Sequence, residues 1–343
     1  MPVRSRQRKL ERSRSILDHC GQECPRSESN SRDCKSSLLE TYMGMPLAAF
    51  PKCFLDALCV QRTMTVEEWI DLALQFDVDG LEFYWGFLPQ ESPKEWERLR
   101  KKVESQGRSI PMMCYSSDFT KPSPADRKQE IEQQKKAIRA TSQLGGKYCR
   151  VLSGQRRPNV PRDHGLRWVQ ECILELLPFA EANNVVLIIE NHYKDGYWQH
   201  PEFAQKMDDF LELIAGIPDS KWFGVNYDPS NAIIAGDDPI ELLEAVKSRV
   251  RTMHASDRYF EGGNLDDLRR IDAQPQTGYA TILKHGVIGE GLNNYGRIFS
   301  ILKGAGFNGW VSIEDGPDPA TGVRDIAESA RFLRSKMKEF GLP

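Results

Sequence analysis

The chain has 343 residues and a mass of 39.1 kDa, with 40% hydrophobic residues, 28% charged residues and a net charge of −3. That length suits one large barrel or two smaller α/β units, and the composition is that of a folded globular protein. No basic field exists to hold a phosphate backbone, and the longest aliphatic run, 185–189, falls far short of the roughly 20 apolar residues of a membrane-spanning helix. Nucleic acid and membrane are therefore set aside as partners.

Residues 1–42 stand apart. They are rich in Arg and Ser, carry a net charge of +3 against −6 for the remainder, and show no persistent apolar period. They lack the roughly 7–15-residue apolar core of a secretory signal, and Glu11, Asp18 and Glu23 argue against a transit peptide. We read 1–44 as a disordered basic, Ser-rich extension, or as sequence upstream of a true start at Met43 or Met45, and 45–343 as one folded domain. The eight cysteines form no CxxC pair, which points to reduced thiols and a cytoplasmic protein rather than a zinc ribbon.

From Leu47 onward short apolar runs alternate with stretches of helical period. Strands are predicted at roughly 47–54, 79–84, 109–117, 147–153, 185–192, 223–229, 250–256 and 309–315. Thr65 and Glu68 have capping-box spacing ahead of Trp69, Leu72 and Phe76. Leu166, Val169, Ile173, Leu176 and Leu177 make a second helical stripe. Phe203, Met207, Phe210, Leu211 and Ile214, closed by Gly216, make a third, and Ile326, Ala330, Leu333 and Met337 make the last. Eight strands alternating with helices predict an α/β fold, a (β/α)₈ TIM barrel, with a long insertion between strands 7 and 8. A doubly wound sheet would open on a Gly-rich turn, and PKCFLDALC contains no glycine; Gly289-Glu290-Gly291 reads as a turn.

In such a barrel, catalytic groups come from the C-terminal ends of the strands. Those ends carry Glu82; Ser117 and Asp118; Glu190 and His192; Asp228 and Asn231; His254, Asp257 and Arg258; and Glu314 and Asp315. A carboxylate placed directly after VVLII needs a partner or a metal. Glu190, Asp228, His254 and Glu314 lie at four successive strand ends. Three carboxylates and one imidazole suit a divalent cation such as Mn²⁺, Mg²⁺ or Co²⁺, with two open positions for a carbonyl and its neighbouring hydroxyl.

The motifs GLEFY, IIENH, NYDPSN, MHASDR, GVIGEGLNNYGRIFSIL and WVSIEDG resemble the xylose isomerase-like TIM barrel superfamily of ketose 3-epimerases, hydroxypyruvate isomerases, inosose dehydratases and three-zinc endonucleases. The resemblance covers most of 46–340. It implies one divalent metal, Mn²⁺ first with Mg²⁺, Co²⁺ or Zn²⁺ as alternatives, held by Glu190, Asp228, His254 and Glu314, and proton transfer by Glu190 and Glu314. The His often found three residues after the strand-six Asp is replaced by Asn231. The ENH and SDRY…LKHGVIG stretches further resemble the large subunits of C-glycoside deglycosidases. That likeness implies elimination on 3-keto-glycosides, His192 as a proton-transfer group and a small β-rich partner subunit. The three-zinc endonucleases need more histidines than the six present.

The expected activity is therefore that of a metal-dependent isomerase or epimerase of a ketose or keto-sugar, working through an enediolate. A lyase or dehydratase, alone or within a hetero-complex, and a sugar-binding module without turnover are the alternatives. A homo-oligomer also stays open. Glu82, Asn231, Asp257 and Arg258 are candidates for substrate contact; the alternatives are a salt bridge to Arg150 for Glu82, orientation of His254 or an Arg, or turn chemistry, for Asp257, and a surface ion pair for Arg258. Tyr193, Tyr197 and Trp198 after strand five, with Trp85, offer aromatic faces that stack on sugar rings, and core packing under the loop is the alternative.

Overall fold

Strands of a few buried residues alternate with helices in a computed structural model that describes residues 45–343 apart from 89–91, 272, 315, 317 and 343. The expected extension at 1–44, its three cysteines and Asp315 lie outside the described residues. The strands are β1 (Leu47–Ala49), β2 (Gly80–Leu81), β3 (Phe83–Tyr84), β4 (Met112–Cys114), β5 (Tyr148–Val151), β6 (Val186–Glu190), β7 (Phe223–Tyr227), β8 (Val250–Ala255), β9 (Arg258–Phe260), β10 (Leu283–His285) and β11 (Trp310–Ile313). The large sheet runs β2-β1-β11-β8-β7-β6-β5-β4-β3, and its strand pairs are parallel. Its two ends, β2 and β3, are halves of one strand interrupted at Glu82. The sheet therefore closes on itself as a barrel with eight strand positions.

The helices are α1 (Val66–Leu72), α2 (Pro93–Ser105), α3 (Pro124–Gln143), α4 (Arg162–Ala182), α5 (Met207–Ala215), α6 (Pro229–Ala235), α7 (Pro239–Val246), α8 (Leu265–Leu268), α9 (Tyr295–Gly304) and α10 (Gly322–Glu339). Thr65 and Glu68 do form the expected capping box on α1. Pro93, Pro124, Pro229 and Pro239 open their helices, where a missing N–H costs no intrahelical bond. The α4 stripe buries Leu166, Val169, Ile173 and Leu176, worth roughly 1.5–3 kcal/mol each.

Two predicted elements are shorter in the structure. The first strand stops at Ala49, because Pro51 has no N–H and the chain turns into a 3₁₀ segment at Lys52–Phe54. The helix expected from Phe203 begins at Met207, whose N–H is taken by Asp237. Phe203 is instead in the preceding loop, its N–H bonded to the Gly154 carbonyl.

The packing has two layers. A large core lies between the barrel and its helices, while Met112, Cys114, Val186 and Ile188 form a small cluster of their own. Alternation along a strand separates these sets. Leu187 and Ile189 pack in the large core, whereas Val186, Ile188 and Glu190 share the opposite face of β6. Among the described residues, no helix is long and apolar enough to cross a membrane. The described cysteines are free, and all but Cys59 are buried.

The expected insertion between the seventh and eighth barrel strands is present and contains a hairpin, β9 against β10, antiparallel with Tyr259 opposite Lys284. Asp257 fastens it. Its carboxylate, fully buried, accepts main-chain N–H groups from Arg258 (3.0 Å), Gly289 (2.9 Å), Gly291 (3.1 Å) and Asn293 (3.1 Å). Substrate contact, expected for Asp257 from the sequence, is thus replaced by loop fastening, because the main chain occupies both oxygens. Asp118 does similar work between the loops after β4 and β5. Arg157 grips it in a fork of 2.9 and 2.5 Å, and Gln155 adds two further donors.

Hydrogen bonds to a charged acceptor contribute about 1.5–3 kcal/mol each. Asp257→Ala should therefore lower stability by at least about 3 kcal/mol in thermal unfolding and open 286–293 to limited proteolysis. Burial alone would raise the Asp118 carboxyl, but Arg157 and Gln155 outweigh it and hold the carboxyl below its usual value. Its contribution is present above the unfolded pKa, about 3.9, and is lost as pH falls through the lower folded value. Asp118→Asn should cost about 1–3 kcal/mol at pH 7, and the difference from the unaltered protein should shrink in acid-unfolding curves below about pH 4.

Candidate active site

The β6, β7, β8 and β11 strands each deliver one side chain to the same end of the barrel. Glu190 is the last residue of β6, Asp228 follows β7 as the N-cap of α6, His254 lies within β8, and Glu314 follows β11. One ligand atom from each lies within 4.8 Å of the others. His254 Nδ1 stands 3.3 Å from Glu190 Oε1 and 3.3 Å from Glu314 Oε2. The sequence expected this quartet, and the fold brings it together.

Three of the four, Glu190, Asp228 and His254, are held from behind by hydrogen bonds. Arg150 Nη1 donates to Glu190 Oε2 at 2.6 Å, and Asn231 Nδ2 donates to Glu190 Oε1 at 3.0 Å. Ser256 Oγ and the Asn231 N–H both donate to Asp228 Oδ1, at 2.7 and 3.0 Å. The Asn191 side chain spans the Asp228 main chain in both directions. His254 Nε2 meets Glu82 Oε1 at 3.1 Å, and that oxygen also accepts the Cys114 thiol at 2.8 Å. With Nε2 turned to Glu82, Nδ1 is the nitrogen left for the quartet.

The electrostatics follow from crowding. Burial and the nearby charges of Glu190 and Glu314 push the Asp228 carboxyl up to about 6. Burial would raise Glu190 too, but His254 and Arg150 hold it at about 2. Burial opposes a charge on His254, yet Glu82, Glu190 and Glu314 raise its imidazole well above the ordinary value. Three clustered carboxylates with one imidazole are a donor set that a divalent cation would neutralise, and the residues fit such an ion. Glu82, Cys114 and His254 form a second convergent group, wholly buried, which shares His254.

A cavity of about 250 Å³ opens beside the quartet, lined by Lys52, Tyr84, Arg150, His192, Tyr193 and Glu314 among others. That is below the roughly 300–1,000 Å³ of pockets for drug-sized ligands, so a single small molecule fills it. Glu314 and His192 line it; Glu190, engaged on both oxygens, does not. Tyr193 stacks on His192 with ring centroids 5.1 Å apart.

Other sequence-derived candidates lie elsewhere. Glu82 was expected at substrate hydroxyls or at Arg150; it is fully buried behind His254, and Arg150 goes to Glu190 instead. Asn231 serves Glu190 and Asp228. Arg258 is 1% exposed, sits over the rings of Tyr279 (4.4 Å) and Tyr193 (5.6 Å), and bonds His285 Nε2 at 3.1 Å. Neither Trp85, packed against Trp96 and Tyr115, nor Trp198 lines the cavity; Phe50, Tyr84, Tyr193 and Tyr197 supply its aromatic wall. Sequence reasoning missed Lys52, 3.8 Å from Glu314, and Glu202, 3.6 Å from His192. Arg150 had a signal: a basic residue inside a short strand, in step with the inward face. Glu202, in the loop segment QHPEF, had none.

Known proteins share this fold. An inosose dehydratase of Geobacillus kaustophilus is 28% identical over 122 residues, a match that spans 35% of this chain and only 36% of that protein. The chain thus spans about a third of the length of that curated relative. Among solved structures, the IolI protein with a bound zinc atom superposes with a TM-score of 0.67 at 14% identity, covering 86% of this chain and 99% of that one. A D-tagatose 3-epimerase-like protein gives 0.66 at 19% identity, covering 87% and 98%. At such identities the structural likeness establishes the fold. The model of the xylose isomerase-like TIM barrel family matches residues 70–336, and this chain belongs to that family.

Proposed function

We propose that this chain is a divalent-metal-dependent epimerase or isomerase that moves a proton beside the carbonyl of a ketose or keto-sugar. Glu190, Asp228, His254 and Glu314 are the proposed ligands. The observation that carries the reading is the convergence of these four side chains beside a small cavity that Glu314 and His192 line. Manganese is the proposed ion, and zinc is the alternative supported by the zinc-bound neighbour. The free thiols fit a reducing, cytoplasmic setting.

When bound, the cation would stabilise negative charge developing on the substrate's carbonyl oxygen. The protein groups do the rest. Arg150 and Asn231 occupy Glu190, which makes it an anchor. Glu314 and His192 reach the cavity and are the groups that take and return the proton. Loss of the proton leaves its electron pair in an enediolate. Return to the opposite face inverts that carbon, and return to the neighbouring carbon gives the isomer. A second reading is dehydration: the same enediolate expels a β-hydroxyl as water with a proton from His192. The curated relative named an inosose dehydratase favours it.

The manganese-loaded protein should be incubated in D₂O with ketohexoses and with 3-keto-glucosides and followed by NMR. Deuterium entering a carbon beside the carbonyl is the expected result. Loss of water or release of an aglycone would shift the assignment to a lyase, and neither reaction with metal bound would overturn the proposal. Glu190→Gln, Asp228→Asn and Glu314→Gln should each weaken metal binding at least about 10-fold, an effect already typical of removing only an outer-shell partner. Wild-type metal content in an Asp228→Asn/Glu190→Gln double variant would sink the ligand set.

A further inference from the structure

Two buried polar atoms outside the quartet face each other. His192 Nδ1 and Glu202 Oε2 are 3.6 Å apart, and neither has another hydrogen-bond partner. His192 is 8% exposed and Glu202 is 1% exposed. A buried polar atom left unmet costs about 1–3 kcal/mol, so a slight closure that joins the two satisfies both.

The carboxylate cannot turn elsewhere. Its other oxygen, Oε1, accepts the Ser153 N–H at 2.6 Å and the Ser153 hydroxyl at 2.5 Å. The main chain is held as well: Glu202 N–H donates to the Tyr193 carbonyl at 2.8 Å, and Glu202 bridges Gln155. The segment 193–202 folds back on its own start and carries Glu202 behind the ring. Tyr193 stacks on the imidazole at an interplanar angle of 25° and fixes its plane. His192 lines the cavity and Glu202 does not.

We infer that Glu202 is a positioning residue that holds His192 as the Nδ1–H tautomer, leaving a bare Nε2 toward the cavity for proton transfer. An imidazole between a carboxylate and a reacting group works as a base in this tautomer and fails in the other. The catalytic consequence rests on the proposed function, whereas the tautomer stands by itself.

The test is a long-range ¹H–¹⁵N spectrum of the full chain labelled at histidine. Magnesium is added as a diamagnetic ion, and the pH is raised until the His192 ring is neutral. His192→Asn assigns the signal. The unaltered protein should show Nδ1 protonated and Nε2 bare. In Glu202→Gln the Ser153 N–H retains the amide oxygen, so the amide NH₂ faces Nδ1 and the ring should convert to Nε2–H. Glu202→Asp keeps the charge and should keep Nδ1–H, although its side chain is shorter. A purely structural role predicts the reverse, with the isosteric Gln tolerated better than Asp. An Nε2–H ring in the unaltered protein, or an unchanged ring in Glu202→Gln, overturns the inference. In the D₂O exchange assay Glu202→Gln should lose about 10²–10⁴-fold in kcat with KM little changed. Absence of exchange in the unaltered protein would count against the proposed function, and the spectrum would still decide the role of Glu202.

Discussion

Three carboxylates and an imidazole at the end of an apolar barrel lose their water and, among the acids, repel one another. Most of the polar architecture answers that problem. Coulomb repulsion at the spacings seen here strengthens steeply as the effective dielectric falls, and burial with like charge is what lifts Asp228 above its ordinary range. The neighbours supply opposite charge and directed donors. Arg150 and Asn231 take Glu190, Ser256 and the α6 N-terminus take Asp228, and Lys52 stands near Glu314.

These supports divide the acids by role. Glu190 is enclosed and does not line the cavity, while the Glu314 side chain is 12% exposed and borders it. The division is set by which strand neighbours carry donors. Arg150 on β5 pairs laterally with Ile188 of β6, which puts its guanidinium within reach of the carboxylate two residues on. Glu82 does the equivalent work for His254 from the barrel interior, with Cys114 fixing the shared oxygen. Orienting partners of this kind set which ring nitrogen faces outward.

The loops after the strands are fastened by acids of their own. Asp257 gathers four N–H groups from the insertion, Asp118 ties the loops after β4 and β5, and Glu202 pins the return of the segment after β6. Each is a buried carboxylate that replaces lost water with main-chain or arginine donors. Of these loops, the segment pinned by Glu202 supplies cavity wall, from His192 to Tyr197.

The sequence by itself determined the barrel and the quartet, because short apolar runs alternating with helical periods, and acids at the ends of those runs, are local signals that survive without coordinates. It also specified the α1 capping box through Thr65 and Glu68. Tertiary structure decided what those signals leave free. It set the partner of each polar group: Arg150 went to Glu190 and not to Glu82, and Asp257 went to loop amides and not to the cavity. Of the four aromatic candidates the sequence offered, it placed Tyr193 and Tyr197 on the cavity wall and left Trp85 and Trp198 off it. It brought Glu202 to His192 through a loop whose closing hydrogen bonds leave no periodic trace. Strand ends are fixed by short-range pattern, whereas pairings across the barrel mouth depend on where separate loops return, and that is settled only when the chain closes on itself.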